Sequence, residues 1–175
     1  MYESNTPRPL DADPQFRPVA KYSPDLLYRW WWEERWGDGP YVCWIGLNPG
    51  TGDTDGKPRP TLRRMRAWTE GLGHSALVIV NLFAFRTTYP KELRAAARDG
   101  IDIIGDENDE TIREWSSGAA ATVGAWGAGG RLLCRGAQVA AMVPDLLCLG
   151  LTGRGEPRHP LYVPSTVETI GYRPR

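Results

Sequence analysis

The chain has 175 residues, of which 41% are hydrophobic and 24% charged, with 21 basic side chains balanced by 21 acidic ones. That length suits one domain with a sizeable core, and the composition excludes an intrinsically disordered chain. Net neutrality leaves out the strongly basic footprint of a general nucleic-acid binder, and no apolar run approaches the ~18 residues of a membrane span.

Residues 1–21 are rich in prolines and charges, show no periodicity, and read as an N-terminal arm; residues 22–175 read as a single domain. Residues 28–36, YRWWWEERW, are aromatic and partly alternating, and Gly37-Asp38-Gly39-Pro40 leads into an apolar run over 41–47. A β-hairpin is the simplest reading of the pair, a short amphipathic helix its competitor over 28–36, and the three tryptophans are expected to pack. The apolar run ends in Asn48-Pro49-Gly50. Pro49 cannot donate to a ladder, so the strand stops and Asn48 is fixed at its carboxyl end, where open α/β sheets keep their ligands. Turn chemistry alone would also explain the triplet.

Thr61 is placed to cap a helix reaching about Gly71, with Leu62, Met65 and Trp68 at helical spacing. Residues 76–81, ALVIVN, read as a fully buried strand with a polar end, and further buried strands are expected at 120–126 and 146–151. Helices are expected over about 91–98, 107–116 and 132–142, and residues 152–164 form a loop carrying Arg158-His159-Pro160-Leu161. The alternation βαβαβαβ predicts a three-layer α/β/α domain. Its centre is a mainly parallel four-stranded sheet, with an N-terminal hairpin or edge strand. Asn48, Asn81 and His159 each follow a core strand, so they fall on one edge of that sheet.

Several familiar sites are missing. Gly56-Lys57 is followed by Pro58 and lacks the glycine spacing of a P-loop. GAWGAGG at 124–130 lacks the GxGxxG spacing and suits close packing better than a dinucleotide. Two histidines, His74 and His159, exclude a multi-histidine metal site, and His74 reads as structural. Cys43, Cys134 and Cys148 are too few for a four-cysteine cluster and read as the reduced thiols of a cytoplasmic protein. No metal, cofactor or membrane partner is expected, and the chain reads as a monomer. Charge is segregated, however. Lys57, Arg59, Arg63, Arg64 and Arg66 follow the Asn48 turn, whereas residues 99–114 carry seven acids against Arg113. A solvated helix face is the ordinary explanation, and an anionic ligand beside Asn48 the functional one.

Four stretches together resemble the uracil-DNA glycosylase superfamily. Gly46-Leu47-Asn48-Pro49-Gly50 is similar to the GINPG water-activating motif of its mismatch-specific branch, and Val78-Ile79-Val80-Asn81 to the strand whose terminal Asn reads the flipped base. Ala125-Trp126-Gly127 with Ala137-Gln138 resembles an LWG…AQ strand and helix, and His159-Pro160-Leu161 stands where that superfamily has HPSPLS. LNPG, NLFAFR, AWG and PRHPLY, in this order, more closely resemble a bacterial domain-of-unknown-function family, number 1643, over roughly residues 25–165. The wedge segment departs from the superfamily as HPLYVPS, and its base-stacking phenylalanine has no counterpart in 51–60; Tyr89, Phe83 or Trp68 could replace it.

What the superfamily resemblance implies is hydrolysis of the N-glycosidic bond of a flipped uracil-type or modified pyrimidine in DNA. Asn48 would orient the water, with backbone groups of Gly46 and Leu47 beside it. Asn81 would read the base edge, and His159 would donate to the leaving base. Lys57, Arg59, Arg63, Arg64 and Arg158 would contact phosphate. The alternatives are a non-catalytic nucleic-acid or nucleotide-binding module on the same fold, and an enzyme of free nucleosides or nucleotides.

Overall fold

The computed structural model describes residues 18–51 and 59–174. Seven strands lie in one mixed sheet: β1 (Val19–Tyr22), β2 (Arg29–Arg35), β3 (Tyr41–Gly46), β4 (Ala76–Asn81), β5 (Ala121–Gly124), β6 (Leu147–Cys148) and β7 (Ile170–Gly171). Their order is β1-β2-β4-β3-β5-β6-β7. Among the described residues four α-helices accompany them: α1 (Pro60–Gly71), α2 (Pro90–Arg98), α3 (Asn108–Ser117) and α4 (Arg135–Met142).

The four strands β4-β3-β5-β6 are mutually parallel, with β2 antiparallel to β4 at one end and β7 antiparallel to β6 at the other. All six residues of β4 are buried, which is why its sequence shows no polar alternation: both faces of the strand are covered. One face packs Cys43, Ile45, Val78 and Val80 against Leu93 of α2, Ile112 of α3 and Val139 of α4. The other packs Val42, Trp44, Leu77 and Ile79 against Met65 and Trp68 of α1. Burying each such aliphatic side chain is worth roughly 1.5–3 kcal/mol. Trp44 is wholly buried, and its indole N–H donates to Thr69 Oγ1 at 3.0 Å, so its burial leaves no polar atom unpaired.

Several sequence expectations are corrected. The sheet has seven strands rather than four plus a hairpin or edge strand, and β2 does not pair with β3. The connection over residues 36–40 is long enough to step across β4, which inserts between them. Trp36 N–H donates to Ser75 carbonyl at 2.9 Å, anchoring the crossing at the start of β4. Residues 19–21, placed in the arm, belong to β1, which pairs with β2. Pro60 opens α1 and Arg59 is its N-cap, so Thr61 lies inside the helix rather than capping it. Residues 127–134 form a 3₁₀ segment that breaks at Leu132, and α4 begins only at Arg135. Leu133 and Cys134 have φ of 53° and 55°, which no continuous helix tolerates. The 146–151 strand is reduced to Leu147–Cys148. Cys43 and Cys148 are buried, Cys134 is exposed, and all three are free thiols. Among the described residues no helix is long and apolar enough to cross a membrane.

Two buried polar residues fix the carboxyl end of β4. Asn108 Nδ2 donates to the carbonyls of Asn81 (3.1 Å) and Leu82 (3.0 Å), and Arg135 Nε donates to Leu82 carbonyl at 2.9 Å. Arg135 also pairs with Asp109. Carbonyls that have run out of ladder partners are thereby satisfied from α3 and α4.

Candidate functional site

Strand order creates the site. From β3 the chain moves to β4 on one side, and it later returns to β5 on the other, so a crevice opens beyond the carboxyl end of β3. In the parallel register Gly46 is the partner of Asn81. A Cβ built on Gly46 would stand 2.7 Å from Asn81 Oδ1, so the glycine is what lets that side chain lie against β3. Asn81 is 2% exposed, and its buried Nδ2 has no hydrogen-bond partner among the described residues. An unpaired buried amide donor costs roughly 1–3 kcal/mol, and a ligand acceptor would remove that cost.

Asn48 is held differently. Its Nδ2 donates to the carbonyls of Thr87 (2.9 Å) and Pro49 (3.2 Å), while Thr87 N–H donates to Pro49 carbonyl at 3.0 Å. The Asn48 turn and the loop after β4 are thus zipped together, and the Asn48 amide can turn only its Oδ1 outward, as an acceptor. The Thr87 hydroxyl donates to Glu92 Oε2 at 2.6 Å, which holds the Glu92 carboxyl below its ordinary range, and the same oxygen accepts from the N-cap Tyr89 N–H at 3.3 Å in the capping box of α2.

His159 arrives on the loop after β6. That loop is pinned by Arg158 N–H to Gly150 carbonyl (2.9 Å) and Gly127 N–H to Pro157 carbonyl (2.9 Å). His159 Nδ1 accepts from Leu161 N–H at 3.3 Å, which assigns the imidazole proton to Nε2. Burial pushes its pKa below the ordinary 6.5, so the ring is a neutral donor at pH 7.

Asn48, Asn81 and His159 line one cleft of about 550 Å³. Gly46, Leu47 and Trp126 form part of its wall, and Tyr162, 80% exposed, stands at its edge with its ring 5.7 Å from that of His159. Trp126 is fixed by its indole N–H, which donates to Glu156 Oε2 at 2.8 Å. The glycines of 127–130 make room for these side chains: a Cβ on Gly129 would meet Leu47 at 2.7 Å, and one on Gly130 would meet the Trp126 indole at 2.3 Å.

A family model described as a protein of unknown function, DUF1643, matches residues 27–161. The chain belongs to that family. No curated protein and no solved structure matches it. The DUF1643 span contains Arg29 through His159 and so encloses the cleft apart from Tyr162, which lies one residue beyond it.

The structure separates the basic residues singled out in the sequence. Arg59 lines the DUF1643 cleft, its guanidinium 4.0 Å from the Trp32 ring. Arg63 is exposed on α1 outside it. Arg64 donates to Val163 carbonyl at 2.6 Å and packs over Trp68, facing a second groove of about 490 Å³ along α1 and residues 165–169. Arg158 donates to Leu151 carbonyl at 2.8 Å and holds its own loop. Lys57 lies outside the described residues. Of the proposed stacking aromatics, Phe83 and Trp68 are core residues, and Tyr89, 56% exposed, does not line the cleft.

Sequence reading missed Arg29, Arg94, Thr87 and Tyr162, all of which line the cleft. Tyr162 carried a signal, since it follows directly on the His159-Pro160-Leu161 motif. Arg29 carried none, because its place depends on β2 running antiparallel to β4. Among the described residues, none lining the cleft is a carboxylate, and no group of three or more His, Cys, Asp and Glu side chains is arranged to hold a metal ion.

Proposed function

We propose that this DUF1643 protein hydrolyses the N-glycosidic bond of a uracil-type or modified pyrimidine base extruded from DNA, on a core that is uracil-DNA-glycosylase-like. The observation that carries the reading is the unpaired Asn81 Nδ2, buried in the same cleft as Asn48 and His159. An asparagine presenting Nδ2–H and Oδ1 matches the acceptor and donor of a pyrimidine edge. Cleavage develops positive charge on the sugar and negative charge on the departing base. A neutral His159 Nε2–H stabilises the second without itself needing to lose a proton, and its contribution grows in the transition state. Asn48 is too weak a base to deprotonate water. Its outward Oδ1 instead orients a water by accepting its hydrogen bond, which suffices where the electrophile is already cationic. Tyr162 supplies the stacking face that the sequence left unassigned, and extrusion of the base provides access.

A second reading, an enzyme of free nucleotides, is favoured by the small set of arginines inside the cleft in place of a broad basic rim. One experiment addresses both. DNA carrying uracil, mismatched, hydroxymethylated or damaged bases, and the matching free nucleotides, are incubated with the protein, and released base is identified by mass spectrometry. Release from a DNA substrate is expected, and Asn48→Ala should slow it by roughly 10²–10⁴ while the fold is retained. No release from any DNA or nucleotide substrate overturns the hydrolase reading and leaves a binding module.

A further inference from the structure

The cleft contains more positive charge than reading a neutral base requires. Arg29 comes from the start of β2, Arg59 from the N-cap of α1 and Arg94 from α2, and all three line the space that Asn81 faces. Arg29 and Arg59 are set against the same indole, with guanidinium carbons 5.8 and 4.0 Å from the Trp32 ring centre. At 4.0 Å Arg59 lies at flat-face distance from the ring, and stacking of that face leaves its in-plane N–H fork for a planar or tetrahedral anion. Like charges gathered in one cleft repel, and a bound anion offsets that repulsion by its attraction to each of them.

Arg66 shows what a purely structural arginine looks like in this fold. It lies on the same helix and also stacks on a tryptophan, Trp36 at 4.6 Å, but its fork is filled by Glu34 (2.7 Å) and Glu70 (3.0 Å). Arg59 and Arg94 have no carboxylate partner among the described residues.

We propose that Arg59 and Arg94, with Arg29 lining the same cleft, form a phosphate subsite, so that the cleft takes its base as part of a nucleoside phosphate; the proposal rests on Asn81 being the base contact. The phosphate belongs either to a free nucleotide or to the strand beside an extruded base, and both present the same tetrahedral oxyanion to paired guanidinium forks.

Isothermal titration calorimetry with inorganic phosphate, deoxyuridine, deoxyuridine 5′-monophosphate and a short single-stranded oligodeoxyuridylate tests it. Inorganic phosphate should bind. The monophosphate should bind at least about tenfold more tightly than the nucleoside, as a charge-assisted bidentate contact implies. Arg59→Ala and Arg94→Ala should each narrow that gap while leaving nucleoside affinity in place. Arg113→Ala, an exposed charge on α3 away from the cleft, should not. Arg94 is exposed, so its variant reports even where Arg59→Ala perturbs folding. Equal affinities for monophosphate and oligonucleotide identify the free nucleotide as the source, and tighter oligonucleotide binding identifies the strand. No phosphate binding, or a gap that all three variants narrow alike, overturns the subsite. Phosphate binding without base release removes the hydrolase reading alone, and base release at equal rates from nucleoside and nucleotide removes the subsite alone.

Discussion

The contact between Gly46 and Asn81 converts the proposed base-reading geometry into a measurable energy. Gly46→Ala adds one methyl group whose carbon would stand 2.7 Å from Asn81 Oδ1. Ordinary contact begins near 3.4 Å, so the amide must retreat by about 0.7 Å. Asn81 is buried and its main chain is held by Asn108, so the retreat has to come from off-rotamer torsion or a shift of the strand end. Such overpacking costs roughly 1–3 kcal/mol, which for a domain of this size lowers the melting temperature by about 2–12 °C. A displacement approaching 1 Å at a recognition group costs on the order of 10²-fold in turnover or a comparable loss of base affinity.

The double-mutant cycle isolates the cause. In an Asn81→Ala background the methyl group meets no amide, so Gly46→Ala should cost less than about 0.5 kcal/mol, giving a coupling of at least about 0.5 kcal/mol. Asn81→Ala alone should be mild for a residue so buried, because it also removes the unpaired Nδ2 donor. Thermal and urea unfolding followed by circular dichroism measure the stabilities, and calorimetric titration with deoxyuridine measures the site. If Gly46→Ala destabilises equally in both backgrounds, the glycine serves the strand rather than the asparagine, and the reasoning fails.

Two further expectations follow from the cleft. Tyr162→Ala should leave unfolding within about 0.5 kcal/mol of the wild type, since the residue is 80% exposed, yet weaken base binding by the ~1–3 kcal/mol of a lost stack; unchanged affinity would remove Tyr162 from the site. His159 has its pKa depressed by burial, so the unfolded chain takes up that proton first as pH falls. Its contribution to stability is therefore complete above the unfolded value of 6.5 and is lost as pH drops from there toward the folded value. Compared with His159→Gln, the wild type should show this extra acid sensitivity below pH 6.5 and a flat activity profile between about pH 7 and pH 8. An activity rise on acidification through that window would mean that the imidazolium, not the neutral ring, is the working form.

What the sequence disclosed of this site, and what it concealed, follows from how each residue reaches the cleft. Asn48 and Asn81 end two apolar runs, and strand-end polarity is a local signal that survives without knowledge of strand pairing. Their adjacency, Gly46 beside Asn81, then follows from a parallel register that the βαβ alternation already implied. The helices were legible from their apolar spacing to within a few residues, except where glycines accommodate Trp126 and the chain breaks at Leu132. The tryptophan run was legible as a strand but not as a partner. With β4 inserted between β2 and β3, Arg29 lies at the very edge where the parallel strands end, on the first residue of a strand that points the other way. A hairpin of β2 with β3 would have left β2 one position away from β4, and Arg29 would not have entered the crevice. Periodicity cannot separate these two pairings, because both bury the same faces of β2. Trp31 packs on the side of Trp115, whereas Trp32 joins the α1 side, where it carries both Arg29 and Arg59. The middle of an apparently structural aromatic run thereby becomes the platform on which the cleft's charge is assembled, a role that depends wholly on strand order.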